Sequence, residues 1–125
     1  MNETNRRLPD AELDIMQVIW DCTPPVSIAD ISKKVYAIHP MAETTLQTLL
    51  SRLAEKGYLQ VEIQRRKKYY TPRVTRESYQ VSQSRTFFQK VCGGNLSAFA
   101  NALSEGGLTK EELSQLRKLL AEDAL

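Results

Sequence analysis

The sequence predicts a mainly α-helical fold with a small β-hairpin, organised as a winged helix-turn-helix domain followed by a C-terminal helical dimerisation segment. The first observation is a helical repeat of leucines within residues 42–56, at Leu46, Leu49, Leu50 and Leu53. The second is an alternating apolar pattern after Gly57, which is followed by four consecutive basic residues. The third is the return of helical spacing beyond Pro72.

The length of the chain fits a small domain with an appended segment, since 125 residues are too few for two large cores. We expect a flexible arm at residues 1–9, a winged-helix DNA-binding domain at residues 10–74 and a three-helix dimerisation segment at residues 75–125. No apolar run approaches the length of a bilayer span, and residues 1–9 lack the apolar core of a secretory signal. A cytoplasmic protein without membrane insertion is expected.

Cys22, Cys92 and His39 are the only cysteines and histidine in the sequence, and they are far apart. No disulfide framework, metal site or cofactor is therefore predicted. The net charge is only +2, but residues 63–76 contain six basic residues and no acid. This local excess of positive charge is typical of a surface that binds a polyanion.

The first predicted helix covers residues 11–21, with Asp10 as its N-cap. Its apolar residues have the spacing of a helix that packs mostly in the core: Leu13, Ile15, Met16, Ile19 and Trp20. Two consecutive prolines, Pro24 and Pro25, end this helix because they lack backbone N–H donors.

A second helix is predicted from Ser27 to about Ala37. Ser27 and Asp30 have the spacing of a capping box, in which the hydroxyl accepts a hydrogen bond three residues along the chain. Val26, immediately before them, is predicted to form a short extended contact. This helix, a short break and the helix at residues 42–56 form the predicted helix-turn-helix.

The outward face of the helix at residues 42–56 is rich in hydroxyl and amide groups, whereas a solvated face normally carries Glu and Lys. The candidate DNA-contacting residues on it are Thr44, Thr45, Gln47, Thr48 and Ser51. Such side chains can hydrogen-bond to base edges and phosphates without the desolvation cost of a charge. The alternative is an ordinary surface helix of weak helix propensity.

A hairpin is predicted after Gly57, which lies where a helix C-cap requires a positive φ. Residues 58–63 alternate in polarity and are expected to form a half-buried strand. Its core-facing residues would be Leu59, Val61 and Ile63. Residues 69–71 would return as the second strand. The turn between the strands is basic and is predicted to be a wing that contacts phosphates: Arg65, Arg66, Lys67 and Lys68. A turn that only keeps the sheet edge soluble is the alternative.

Three amphipathic helices are predicted after Pro72, at about residues 75–92, at residues 96–103 and from Thr109, with Glu112 at the capping-box position. Three short helices cannot bury this much apolar surface among themselves, which favours pairing with a second copy of the chain. The predicted dimerisation residues are large and apolar: Tyr79, Phe87, Phe88, Val91, Leu96, Phe99, Leu103, Leu113, Leu116 and Leu120.

Three stretches resemble the penicillinase-repressor (BlaI/MecI/CopY) family of bacterial transcriptional regulators. They are AELDIMQVIW at residues 11–20, TTLQTLLSRLAEKGYL at residues 44–59 and LTKEELSQLRKLL at residues 108–120. The resemblance runs in register from about Leu8 to Leu120. It implies an N-terminal winged helix that binds DNA and a C-terminal helical segment that forms a homodimer on a palindromic operator.

The resemblance also implies roles for single residues. Thr44, Thr45, Gln47 and Thr48 match positions that face the operator, and Arg65 to Lys68 match the wing. Arg52 matches a recurrent Arg of the family's motif and is a further candidate for DNA contact. An ion pair between Arg52 and an acid at the rim of the core is the alternative.

The resemblance finally bears on how such a repressor is switched. Asn101-Ala102 lies at the position where repressors of the beta-lactam branch of the family are cleaved. In that branch, cleavage follows a signal from a membrane metalloprotease receptor. An asparagine without any switching role is the alternative. Residues 121–125 contain no Cys, unlike the metal-binding tail of the copper branch, so copper sensing by such a tail is not expected.

The sequence therefore predicts a dimeric transcriptional repressor of double-stranded DNA, with release by proteolysis in a beta-lactam-type response as one means of control. A winged-helix module that binds a protein partner, without sequence-specific DNA binding, is the alternative. An enzyme is not predicted, because the sequence has no Gly-rich phosphate loop and no HExxH motif, and its carboxylates are scattered at helix starts, where capping explains them.

Overall fold

The computed structural model describes residues 6–123, which form helices and a small three-stranded antiparallel sheet. The elements in chain order are α1 (Asp10–Trp20), β1 (Val26–Ser27), α2 (Ile28–Ile38), α3 (Glu43–Glu55), β2 (Leu59–Gln64), β3 (Lys67–Pro72), α4 (Arg76–Thr86), α5 (Leu96–Ala102) and α6 (Lys110–Asp123). One π-helical turn follows α4 at Phe87–Val91, and the chain continues beyond α5 through Leu103–Gly107, where Gly106 has a non-helical φ of 146°. Residues 1–5 of the predicted arm and residues 124–125 lie outside the described residues. The mainly α-helical fold with a small hairpin is confirmed.

The start of α1 differs from the prediction, because Asp10 is not its N-cap. Pro9 occupies that position and makes no side-chain hydrogen bond, and Asp10 is the first helical residue. The Asp10 carboxylate accepts a hydrogen bond from the Arg7 guanidinium at 2.8 Å instead. This ion pair also raises the pKa of Arg7 above its usual value.

The predicted cap of α2 is confirmed. Ser27 is the N-cap, and its hydroxyl accepts a hydrogen bond from the backbone N–H of Asp30 at 3.2 Å. Val26 and Ser27 also form β1, which pairs antiparallel with Tyr70 and Tyr69 of β3. The short extended contact predicted at Val26 is therefore the third strand of the sheet.

The sheet has the order β1-β3-β2, so β3 lies in the centre and β2 forms an edge. In β2 and β3, Leu59 lies opposite Pro72 and Gln64 lies opposite Lys67. The three first helices pack around the base of this sheet. The buried core of this unit consists of Leu8, Ile15, Met16, Val18, Ile19, Val26, Ile31, Val35, Leu46, Leu50, Leu53, Tyr58, Leu59, Tyr70 and Tyr79.

The prediction that β2 is half-buried along its whole length was wrong. Leu59 is buried, but Val61 is 39% exposed and Ile63 is 69% exposed. The alternating pattern is present, yet the hairpin extends beyond the core, so the outer part of its apolar face has no helix to pack against.

Tyr79 in α4 belongs to the core of the N-terminal unit. Its ring contacts Trp20 and Tyr58, with centroid distances of 5.8 and 6.0 Å. Its hydroxyl accepts a hydrogen bond from the backbone N–H of Leu8 at 2.9 Å, so Leu8 of the predicted arm is held in place. Because Tyr79 is only 6% exposed, it has little surface left for the dimer contact that we assigned to it.

The chain divides into two compact units between Gln83 and Ser84, within α4. In the C-terminal unit, Phe99 contacts Phe87 and Phe88 at centroid distances of 6.0 and 5.6 Å. None of the described side chains from residue 84 to residue 122 is buried. This unit therefore has helices but no enclosed core of its own.

The capping box at the start of α6 is confirmed in both directions. The backbone N–H of Glu112 donates to the Thr109 hydroxyl at 3.1 Å, and the backbone N–H of Thr109 donates to the Glu112 carboxylate at 2.8 Å. Within residues 6–123, no helix is long and apolar enough to cross a membrane.

Candidate nucleic-acid interface

The rotation of α3 about its own axis is fixed by its apolar side. Leu46, Leu50 and Leu53 are at most 2% exposed and pack in the core of the N-terminal unit. Gly57 follows the helix with a φ of 89°, as its predicted place at the C-cap requires. Since one side of α3 is buried, its opposite side faces solvent.

The polar residues predicted to contact DNA all lie on the solvent side of α3: Thr44, Thr45, Gln47, Thr48, Ser51 and Arg52. The Thr48 hydroxyl donates to the backbone carbonyl of Thr44 at 3.0 Å, so Thr48 offers its lone pairs and its methyl group to a ligand. No hydrogen bond joins any other residue of the described chain to the side chains of Thr44, Thr45, Gln47 and Ser51. Their donors and acceptors are therefore available to an outside partner.

Arg52 is exposed, and it forms no ion pair with any residue between 6 and 123. The alternative, an ion pair between Arg52 and an acid at the rim of the core, is therefore absent from the described residues. An unpaired guanidinium near the end of this helix is suited to bind a phosphate.

Both ends of α3 are held by polar contacts with other helices. At its start, the Ser32 hydroxyl of α2 donates to Oε2 of Glu43 at 2.9 Å. At its end, Nζ of Lys56 lies 2.6 Å from Oε1 of Glu12 in α1, and Glu12 is only 2% exposed. These contacts position the exposed face without using the six side chains predicted to contact DNA.

Sequence reasoning did not identify the role of Glu12. Glu12, Met16 and Ile19 are spaced at i, i+4 and i+7, and all three are buried. A carboxylate on the same helical stripe as two core residues was the signal that it needed a buried partner.

The loop between α2 and α3 is joined to α1 through His39. This residue caps the end of α2, and its Nδ1 lies 2.7 Å from Oδ2 of Asp14. With the contact between Lys56 and Glu12, this is the second polar link between the helix-turn-helix and the first helix.

The basic turn of the hairpin is shorter than predicted. Arg65 and Arg66 alone form it, with φ of 52° and 68°, whereas Lys67 and Lys68 already belong to β3. Positive φ at both central residues is the pattern of a type I′ turn, whose twist matches that of the two strands. Arginine is an unusual residue there, because a side chain in the left-handed region costs about 1 kcal/mol or more.

All four basic side chains of the hairpin are exposed: Arg65, Arg66, Lys67 and Lys68. Among the described residues, none of the four has a carboxylate partner within ion-pair distance. The hairpin tip is thus a concentrated, uncompensated positive charge. In the sequence, β2 follows directly on the turn that ends α3, and the two elements pack against each other.

Tyr70 anchors the base of the hairpin. It lies opposite Val26 of β1 and Val61 of β2, and it is 3% exposed. Burial raises the pKa of its phenol above the usual value, because the charged form would lose its hydration. Tyr70 therefore stays neutral in the physiological range.

The candidate cleavage site lies in the last turn of α5. Asn101 and Ala102 are both exposed. The chain folds back closely here, because a Cβ on Gly107 would lie 2.6 Å from the Ala102 carbonyl oxygen. The peptide bond is therefore at the surface but within a helix, so a protease would have to unwind this turn.

Within residues 6–123, no three side chains of His, Cys, Asp or Glu are grouped as metal ligands. Cys22 and Cys92 are both free thiols.

Comparisons with known proteins agree on one family. A sequence profile described as penicillinase repressor matches residues 8–122. The chain is 30% identical over 117 residues to the penicillinase repressor of Bacillus licheniformis, a match that covers 93% of this chain and 91% of that protein. It is 25% identical to the methicillin resistance regulatory protein MecI of Staphylococcus aureus, with 96% of this chain and 98% of that protein covered.

Two solved structures resemble the chain. One is the solution structure of the DNA-binding domain of the repressor BlaI, with a TM-score of 0.53, 32% identity and coverage of 58% of this chain and 88% of that one. The other is the solution structure of Bacillus licheniformis BlaI, in monomeric form in complex with the blaP half-operator. Its TM-score is 0.50, its identity is 31%, and the match covers 59% of this chain and 89% of that one. These similarities confirm the predicted winged-helix fold class.

Proposed function

The chain belongs to the penicillinase repressor family, and on this premise we propose that it is a transcriptional repressor that binds a palindromic DNA operator as a homodimer. The proteins of this family are transcriptional regulators and not enzymes. One observation carries the proposal for this chain. The polar face of α3 is exposed and has almost no internal hydrogen bonds, and the nearby hairpin bears four exposed cations without acidic partners.

In the proposed complex, α3 enters the major groove and its uncharged side chains contact base edges. Gln47 is the residue best suited to read a base, because its amide can donate and accept at the same time, as adenine N6 and N7 require. Thr44, Thr45, Thr48 and Ser51 add hydrogen bonds to bases or phosphates. Arg52 and the wing residues Arg65 to Lys68 bind phosphates, which fixes the position of the protein on the duplex.

We further propose that the C-terminal unit pairs with that of a second copy. The support is that none of the described side chains of this unit is buried. Large apolar residues remain exposed, such as Val91 at 71%, Leu96 at 70% and Leu120 at 60%. A second copy would bury them and would join two DNA-binding units, which raises affinity through a high effective concentration. The proposed dimer residues are Phe87, Phe88, Val91, Leu96, Phe99, Leu103, Leu113, Leu116 and Leu120.

Sedimentation of the full chain at micromolar concentration tests the dimer. We expect a dimer, and we expect Leu116→Asp to dissociate it because a charge would replace a buried apolar contact. Ser114→Asp, on the exposed side of the same helix, is the control and should leave the dimer intact. A monomeric wild-type chain would contradict this part of the proposal.

Cleavage at Asn101-Ala102 is the proposed means of release, in response to a beta-lactam sensed by a membrane metalloprotease receptor. The exposed position of both residues supports it, as does the family resemblance at this site. A cut here would separate α6 from the rest of the chain and weaken pairing. An immunoblot of the host cells before and after beta-lactam treatment tests this, and a chain that stays full-length would argue for an asparagine without a switching role.

Fluorescence anisotropy with labelled duplex DNA tests the DNA-binding proposal. We would use a duplex selected by the protein from a random-sequence library and a scrambled version of it. Gln47→Ala should weaken binding to the selected duplex by about tenfold and leave binding to the scrambled duplex unchanged. Lys67→Ala should weaken both and reduce the slope of log affinity against log salt by about one per protomer.

Lys110→Ala is the matched control for charge, because Lys110 is exposed in the C-terminal unit and away from the wing in sequence. It should not change the salt slope. If Gln47→Ala and Lys67→Ala had equal effects on both duplexes, the assignment of base and phosphate contacts would be wrong.

A second candidate function is a winged-helix module that binds a protein partner. The exposed apolar side chains of Val61 and Ile63 on the hairpin favour it, since the buried centre of a protein interface is more apolar than the rest of the surface. Such a module would show no salt-dependent affinity for any duplex. As a DNA-binding regulator, in contrast, the chain would act in the cytoplasm, where the operator lies.

A further inference from the structure

A carboxylate lies at the start of the face that α3 offers to DNA. Glu43 is the first residue of the helix, is exposed, and directly precedes Thr44 and Thr45. The other side chains assigned to this interface are neutral or cationic, and a carboxylate near phosphates is repelled by them. Glu43 therefore does not increase the affinity for DNA of arbitrary sequence.

The Glu43 side chain is hydrogen-bonded to a neighbouring helix. The half-buried Ser32 of α2 donates its hydroxyl hydrogen to Oε2 at 2.9 Å. The other oxygen, Oε1, accepts no hydrogen bond from residues 6–123. The helix dipole favours a carboxylate anywhere in the first turn, so the dipole alone does not explain why one oxygen is fixed and the other left open.

We propose that Glu43 is a specificity-determining residue that selects cytosine in each half-site of the operator, with Ser32 as its positioning residue. This inference rests on the proposed function. The first turn of a recognition helix is the part that reaches base edges in the major groove. An ionised carboxylate can only accept hydrogen bonds, and the N4 amino group of cytosine is a donor that matches it.

The other three bases match a carboxylate less well at this position. Guanine presents N7 and O6 and thymine presents O4, which are all acceptors and repel a carboxylate. Adenine presents a donor next to the N7 acceptor, so its match is incomplete. Repulsion from phosphates also lowers the affinity for unmatched DNA, which raises the ratio of specific to non-specific binding.

The test is selection from a random-sequence duplex library by the full-length chain, followed by affinity measurements on duplexes that differ in one base pair. The wild type should enrich cytosine at one position of each half-site, and replacing that base pair should weaken binding by about fivefold or more. Glu43→Gln should shift the preference at this position towards adenine, whose N6 and N7 match an amide, and should bind scrambled DNA more tightly.

Ser32→Ala should weaken the cytosine preference at the same position only, because the carboxylate keeps its charge but loses its support. Glu55→Gln removes an exposed acid at the other end of α3 and is the matched control, which should select the same sequence as the wild type. Identical selected sequences from Glu43→Gln and the wild type would overturn the inference and leave the repressor proposal standing. A wild type that enriches no sequence would overturn both.

Discussion

Replacing Lys56 by Met should destabilise the N-terminal unit by about 3 kcal/mol, because it leaves Glu12 buried without its partner. The two side chains meet at 2.6 Å, and that of Glu12 is 3% exposed. Methionine keeps most of the aliphatic stem of Lys56, so the loss reports the missing charge more than missing packing.

Replacing the other partner of the ion pair, Glu12→Met, should lower the free energy of unfolding by only about 1 kcal/mol. The side chain of Lys56 is 27% exposed, so its ammonium can turn to water when the carboxylate is removed. The double variant should be about as stable as Glu12→Met alone, since apolar residues of similar volume can replace a buried ion pair at little cost. The second substitution would thus restore most of the stability that Lys56→Met loses.

Urea denaturation monitored by tryptophan fluorescence measures these differences. Trp20 is the only tryptophan in the sequence, and its ring contacts Tyr79 in the core of the N-terminal unit, so the signal reports that unit. Equal m-values among the variants would show that the comparison is valid. The reasoning fails if Lys56→Met lies within about 0.5 kcal/mol of the wild type, or if the double variant is no more stable than Lys56→Met.

Two further outcomes concern the hairpin. Replacing Arg65-Arg66 with Asn-Gly should raise the free energy of unfolding by about 1–2 kcal/mol in urea denaturation, because these residues adopt positive φ readily, and it should weaken duplex binding in anisotropy. Unchanged stability would show that the arginine turn is not strained. Because the pKa of Tyr70 is raised on folding, its contribution to stability should be complete below about pH 10 and lost as the pH rises through the folded value. Tyr70→Phe should reduce this alkaline loss, measured as the free energy of unfolding from about pH 9 to pH 11, and an identical pH dependence in both chains would contradict it.

Features that depend on a few neighbouring residues could be predicted from the sequence. The caps at Ser27 and Thr109 and the positive φ of Gly57 are of this kind, because each is determined within one turn of chain. The exposed side of α3 could also be predicted, since its leucines share a helical stripe and leave the opposite face to solvent.

Features that depend on distant residues could not be predicted in the same way. The partner of Glu12 is 44 residues away, and no local pattern identifies it. The alternation in β2 shows which residues share a face of the sheet, but it does not show how far the core extends along that face. Ile63 was therefore expected to be buried and is exposed.

The candidate interface combines both kinds of feature. Its residue types and the face of α3 followed from the sequence, whereas the contact between Ser32 and Glu43 and the exact turn residues did not. Asn-Gly is the sequence that normally predicts a type I′ turn, and this chain has Arg65-Arg66 there instead. Their role as wing residues stays a prediction until binding is measured.

The hydrogen bond between Tyr79 and Leu8 joins residues 71 positions apart and has a practical consequence for dissecting the protein. A fragment that stopped at residue 74 would lack this ring and would leave Trp20 and Tyr58 without their aromatic neighbour. A recombinant DNA-binding fragment should therefore extend through the first turns of α4 and begin no later than Leu8. Truncation at either end beyond these points should yield a less stable fragment, because it removes Leu8 or Tyr79 from the buried core.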